Sequence, residues 1–220
     1  MYRLVEDFQP SYIKAFKVIF LRQILLYWRD KFFLLQNLSF FMVSILIFKV
    51  TANISNIEIY LVFLLFSLTL SSDILLIQDY KKKILQQFLL LGVNFEVILL
   101  AKIIAHILFV GIPFIIFILF CDYLMANEIP SIAKFFLLLI FVANIVIANL
   151  FSSALCITPN QSTLSILLMM PFVIPNMIFG ALSFNDVVYV EMLIGIFLIE
   201  APIFLFASAA IIKNIVRYHG

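Results

Sequence analysis

The chain has very little polar sequence to spare. Only 12% of its 220 residues are charged, and these fall in short breaks between hydrophobic stretches rather than in a block of their own. That leaves no room for a folded water-soluble domain, so any energy source or large binding surface is expected from a partner. No G-x-x-x-x-G-K-[ST] phosphate loop is present, so the chain is not expected to hydrolyse ATP or to be an enzyme by itself. Two cysteines, Cys121 and Cys156, lie far apart, which excludes a disulfide framework or a C-x-x-C redox site. No metal-ligand set is visible. A net charge of +2 gives no reason to invoke nucleic acid. The first residues, MYRLVEDFQPSYIKAF, lack the charged n-region, short apolar run and small-residue cleavage site of a signal peptide. There is no internal repeat and no low-complexity linker.

What is present is apolar sequence, 65% of the chain. It falls into six stretches, 32–50, 58–77, 97–120, 135–156, 164–183 and 192–212, each close to the ~20 residues that cross a bilayer as a helix. Backbone donors and acceptors must be satisfied inside each segment in lipid, so the fold class expected is an all-α integral membrane protein, one membrane domain over 1–220. With both termini inside, the cytoplasmic side collects Arg3, Lys14, Lys17, Arg22, Arg29, Lys31, Lys81, Lys82, Lys83, Lys213 and Arg217, with Lys102 just within the membrane. The outer side keeps only Lys49 and Lys134, and this asymmetry sets the orientation. The two cysteines then fall near opposite faces.

Two polar segments carry further information. Residues 11–30, SYIKAFKVIFLRQILLYWRD, place Lys14, Lys17, Arg22 and Arg29 on one arc of a helical wheel, with Phe16, Ile19, Phe20, Ile24 and Tyr27 largely elsewhere. An interfacial helix is expected, its basic arc towards lipid phosphates and Trp28 at headgroup level, serving as an anchor or as an elbow that leads the chain into the membrane. The break 78–96, QDYKKKILQQFLLLGVNFE, carries Ile84, Leu85, Phe88 and Leu89 at helical spacing beside Lys81, Lys82, Lys83, Gln86 and Gln87. It reads as a short amphipathic helix on the cytoplasmic side or as a positive-inside loop.

Residues 75–117 contain L-A-K-x-x-A-H followed by G-x-P, at Leu100, Ala101, Lys102, Ala105, His106, Gly111 and Pro113, and residues 164–182 read LSILLMMPFVIPNMIFGAL. With FASAAIIKNI at 206–215, these runs resemble CcmB, the heme exporter protein B family of cytochrome c maturation, over nearly the whole chain. The chain departs from the family where members tend to carry an acidic, Gly-containing stretch: Gln78, Lys81, Lys82, Lys83 and Gln86 replace it, and only Asp79 keeps its match. Gly92-Val93 and Leu205 stand where prolines are usual.

The resemblance implies an ABC-2 type permease subunit in the bacterial inner membrane, dimeric in a complex with a separate ATPase, CcmA, and with CcmC and CcmD, acting on the heme chaperone CcmE. Segment 79–95 would be the coupling helix, with Asp79, Lys81, Lys82, Lys83, Gln86 and Phe88 towards the ATPase. The loop Thr158-Pro159-Asn160-Gln161-Ser162 would be a second contact. Heme would be cargo and ATP would act through the partner; no cofactor is assigned to this chain.

Ionisable residues inside spans are costly and mark function or pairing. Asp73, Lys102, His106 and Glu200 fall in this class. Their depths suggest Asp73 with Lys102 and His106 with Glu200, with snorkelling of Lys102 to the interface as the alternative. His106 as a heme axial ligand is the sharper reading of that residue, and a packed polar contact the plainer one. Pro113, Pro171, Pro175 and Pro202 lie inside or near the ends of spans and are expected to bend them. Asn144, Asn149, Ser152, Ser153, Ser67, Ser71 and Ser72 offer small or hydrogen-bonding faces for helix contacts. Two rival functions stay open on sequence: an ABC-2 permease for a glycan, lipid-linked or other cargo, and a non-transporting scaffold that relays ATPase motion to the chaperone.

Overall fold

In a computed structural model the described residues, 11–52, 57–70, 76–126, 132–155, 162–184 and 186–219, are helical almost throughout, with no strand among them. In chain order the helices are α1 (Tyr12–Arg29), α2 (Lys31–Ala52), α3 (Ile57–Leu70), α4 (Ile77–Lys81), α5 (Ile84–Leu90), α6 (Phe95–His106), α7 (Ile112–Ala126), α8 (Ile132–Leu155), α9 (Ser162–Leu182) and α10 (Val187–His219). A π-helical turn, Ile107–Gly111, joins α6 to α7 without a break. Three helical stretches among the described residues are long and apolar enough to cross a membrane: Phe95–Phe120, Lys134–Leu155 and Val187–Arg217. Leu35–Ile47 and Met169–Leu182 are shorter apolar helices. Together they make this a membrane protein, since such lengths of apolar helix have their backbone satisfied internally and need lipid or protein around them.

Helix α8 is the centre. Buried residues occupy 72% of its apolar window against 17% for α10, so α10 is peripheral and turns most of its surface outward. α8 packs against α9 and α10 and also meets α3, α6 and α7. Phe151 of α8, Phe172 of α9 and Phe204 of α10 form one ring cluster, with 151 stacked on 204 at 4.6 Å and 172 set edge-on to both at 5.6 and 5.0 Å. Offset stacks and edge contacts of this kind add to area burial. Close approach comes from two glycines. A Cβ on Gly111 would lie 2.6 Å from Val142 Cγ1, and one on Gly180 would lie 2.8 Å from Phe141 Cδ2, so α8 is gripped on two sides where a neighbour has no side chain.

The expected bend at Pro113 takes a specific form. The π turn ends at Gly111, two residues before it, and a widened turn is one way a helix absorbs a residue with no backbone donor. α9 runs through Pro171 and Pro175, and α10 through Pro202, without interruption.

The segment differs from the single coupling helix expected over 79–95. It folds as two short helices, α4 and α5, separated by Lys83 at φ 57°, and ends in a turn at Gly92, φ 67°. Left-handed backbone at a residue with a Cβ is uncommon, and it stops one helix and starts another within two residues. Propensity alone did not mark this break, because lysine is a good helix former.

Candidate functional site

The polar centre of the fold lies where α1, α4 and α6 meet. α1 buries a stripe one residue wide, Ala15, Ile19, Gln23 and Tyr27, each four positions from the last, and lays it along α6. Residues spaced by four share one helical face. α1 is therefore packed on a long apolar helix, and its basic arc is split: Lys14, Lys17 and Arg29 are exposed, whereas Arg22 turns inward.

Arg22 meets Asp79, and so does Lys102. The guanidinium donates from Nη1 to Oδ2 at 3.1 Å and from Nη2 to Oδ1 at 2.6 Å, and Lys102 Nζ donates to Oδ2 at 2.5 Å. The side chains are 28%, 4% and 0% exposed for Arg22, Asp79 and Lys102, so one carboxylate holds two cations, one of them fully enclosed. Burial on its own would raise the Asp79 carboxyl, but the Lys102 ammonium and the Arg22 guanidinium outweigh it and hold the group below its ordinary value. The Arg22 guanidinium also sits 5.9 Å over the Phe88 ring of α5. Arg22 thus reaches both short helices, α4 and α5.

One turn deeper, the Tyr27 hydroxyl and His106 Nδ1 share a hydrogen bond at 2.7 Å, both side chains buried. Tyr27 also stacks on Phe109 of the π turn at 6.1 Å. Gln23 is buried between these two levels. The result is a polar seam that ties α1 to α6 and fixes α4 against both.

Several sequence expectations change here. Asp79, expected to face an ATPase, is interior and anchors its segment instead. Phe88 is half-buried under Arg22, and Gln86 is also partly covered. Lys81, Lys82 and Lys83 are exposed, as are Gln87, Leu90 and Leu91. Lys102 does not snorkel: it is enclosed and held by Asp79. Asp73 and the segment 156–161, with most of the second expected contact loop, lie outside the described residues. The pairing of His106 with Glu200 is replaced: His106 faces Tyr27, while Glu200 Oε2 accepts from Asn176 Nδ2 at 3.0 Å, which also donates to the Phe172 carbonyl at 3.0 Å. That bond joins α9 to α10 beside the Phe172 and Phe204 rings. Asn149 Nδ2 reaches the Leu68 carbonyl at 3.4 Å, joining α8 to α3. Among the described residues no cluster of three or more His, Cys, Asp or Glu is placed to hold a metal ion.

A buried carboxylate held by two cations fixes α1, α4 and α6 against one another. Comparison with known proteins supplies the identity. No curated protein matches the chain. The family model for CcmB protein matches residues 14–214, which takes in α1, the short helices α4 and α5, the seam and α8 to the last turns of α10. The chain belongs to the CcmB family.

Proposed function

We propose that the chain is the membrane permease subunit of an ABC assembly for cytochrome c maturation, in which ATP hydrolysed by a partner resembling CcmA drives heme export or release of the heme-loaded chaperone CcmE. In this reading the protein sits in the bacterial inner membrane with six spans and both termini cytoplasmic. It pairs with a second copy of itself and works with CcmC-like and CcmD-like subunits. It is not itself an ATPase and holds no resident cofactor; heme is cargo.

The observation that carries the reading, beyond family membership, is the construction of the cytoplasmic segment. Its outer side presents Lys81, Lys82, Lys83, Gln87, Leu90 and Leu91, while its inner side is tied through Asp79 to Lys102 of a long apolar helix. A partner that moves the outer side moves α6 with it, as a rigid-body switch requires. His106 is enclosed and engaged by Tyr27, which fits a packing role better than axial ligation of heme.

Depletion of the protein in its native cell tests the proposal, with mature c-type cytochromes followed by heme stain and the chaperone followed for covalently bound heme. Loss of cytochromes with persistence of heme-loaded chaperone is expected and places the protein at the ATP-driven step. Normal cytochrome levels would sink the proposal in favour of a permease for another cargo.

A further inference from the structure

A groove of about 290 Å³ opens where α1 hands over to α2 and the π turn passes beneath; it is lined by Tyr27, Trp28, Lys31, Leu35, Phe109 and Pro113, among others. Its walls are almost wholly apolar. Trp28, Leu35 and Pro113 are themselves exposed, so the groove opens outward. The surface it opens on is also apolar: Phe32, Phe40, Met42, Val43 and Leu46 of α2 are exposed beside it. In a membrane protein such a surface meets acyl chains.

The rim is not apolar. Lys31, the first residue of α2, lines the groove and is exposed, with its ammonium 5.9 Å over the Phe32 ring. The charges just before it in the chain, Arg29 and Asp30, face each other at 3.5 Å and offset one another. Among the described residues no carboxylate pairs with Lys31. Trp28 stands beside it, the residue type that settles at headgroup level. An apolar slot below a cation and an indole matches an acyl chain below a phosphate.

We infer that this groove is a binding site for one anionic glycerophospholipid of the bilayer, its acyl chain between α2 and the π turn and its phosphate on Lys31. The occupant lies against Tyr27 and Phe109, the stacked pair at the deep end of the α1–α6 seam. Bound lipid therefore contacts the deep end of the seam directly.

Trp28 is the sole tryptophan of the chain and lines the groove, so it reports occupancy directly. The full-length protein is reconstituted in vesicles of phosphatidylcholine, and acyl-chain-brominated phosphatidylglycerol or brominated phosphatidylcholine is titrated against Trp28 fluorescence. Half-maximal quenching is expected at roughly five-fold lower mole fraction of the anionic lipid, the preference that one lysine at a charged surface provides. Lys31→Gln, a change at an exposed position, should bring the two lipids together. Leu38 also lines the groove, so Leu38→Phe, which fills the slot, should weaken quenching by both.

Equal half-points for the two lipids in the unaltered protein would overturn the proposal, as would a preference that survives Lys31→Gln. Loss of quenching once the chain is in its native assembly would also overturn it, by showing that a partner's helix covers the groove. Should Leu38→Phe not fold, the Lys31→Gln comparison decides alone.

Discussion

Asp79 of α4 and Lys102 of α6, 23 positions apart in the chain, meet at 2.5 Å in the interior, so a residue of a short polar segment neutralises a charge enclosed in a long apolar helix. Removing one partner of such a pair leaves the other buried without its counter-charge, which costs on the order of 3–5 kcal/mol, whereas replacing both by apolar or neutral groups is far milder. Asp79→Asn is therefore expected to lower thermal stability of the detergent-purified protein sharply, and Asp79→Asn with Lys102→Met to recover most of the loss. A double change that is simply the sum of the two singles would show that the pair contributes nothing as a pair.

The same carboxylate sets a pH dependence. Its folded-state pKa lies below the ordinary 3.8, so its contribution to stability is fully present above that value. Protonation removes it, and the loss runs progressively as pH falls from 3.8 through the lower folded value. Thermal melts across this range should show an acid-induced drop that is smaller in the Asp79→Asn, Lys102→Met protein.

Tyr27→Phe removes one hydroxyl and leaves the ring stack on Phe109 in place. His106 Nδ1 then loses its buried partner, for a penalty of about 1–3 kcal/mol. The expected signature is faster amide exchange along residues 22–29 and 102–106, with exchange in α9 unchanged. Uniform acceleration over the whole chain would count against a local clamp.

Gly111→Ala should destabilise by about 1–3 kcal/mol, because the new Cβ cannot coexist with Val142 Cγ1 at 2.6 Å. Val142→Ala removes that methyl, so the double variant should melt above Gly111→Ala alone. A double variant no better than the single would mean that the glycine matters for the π turn and not for the approach of α8.

Lys81, Lys82 and Lys83 make no ion pair with a carboxylate among the described residues and are exposed, so changing all three to Glu should leave the melting temperature nearly unchanged. If the segment docks on an ATPase, the same change should reduce co-purification of that partner and cytochrome c maturation together. Retention of both would remove the outer lysines from the docking surface.

How much of this was legible in the sequence follows from what each signal depends on. Apolar stretches located the long helices, since membrane length and hydropathy are local properties. Lys102 and His106 were picked out for their cost in an apolar run, again a local judgement. Their partners were not, because pairing depends on how α1 docks, and that rests on a stripe of mixed character, Ala15, Ile19, Gln23 and Tyr27, which no hydrophobic wheel separates cleanly. Asp79 is placed towards an ATPase by the resemblance, which puts it in the coupling segment. A signal did exist: it is the one position in that stretch that keeps the family's acidic pattern, and its carboxylate is the buried one. The left-handed Lys83 left no mark, since lysine is a good helix former, and Pro113 announced a bend but not its form as a π turn.

The order in which the seam's members leave the ribosome gives it a further consequence. Arg22, Tyr27 and Asp79 all precede Lys102 and His106, so both costly side chains enter the bilayer with their counter-groups already synthesised. The carboxylate that meets Lys102 is thus made before α8, α9 and α10 are.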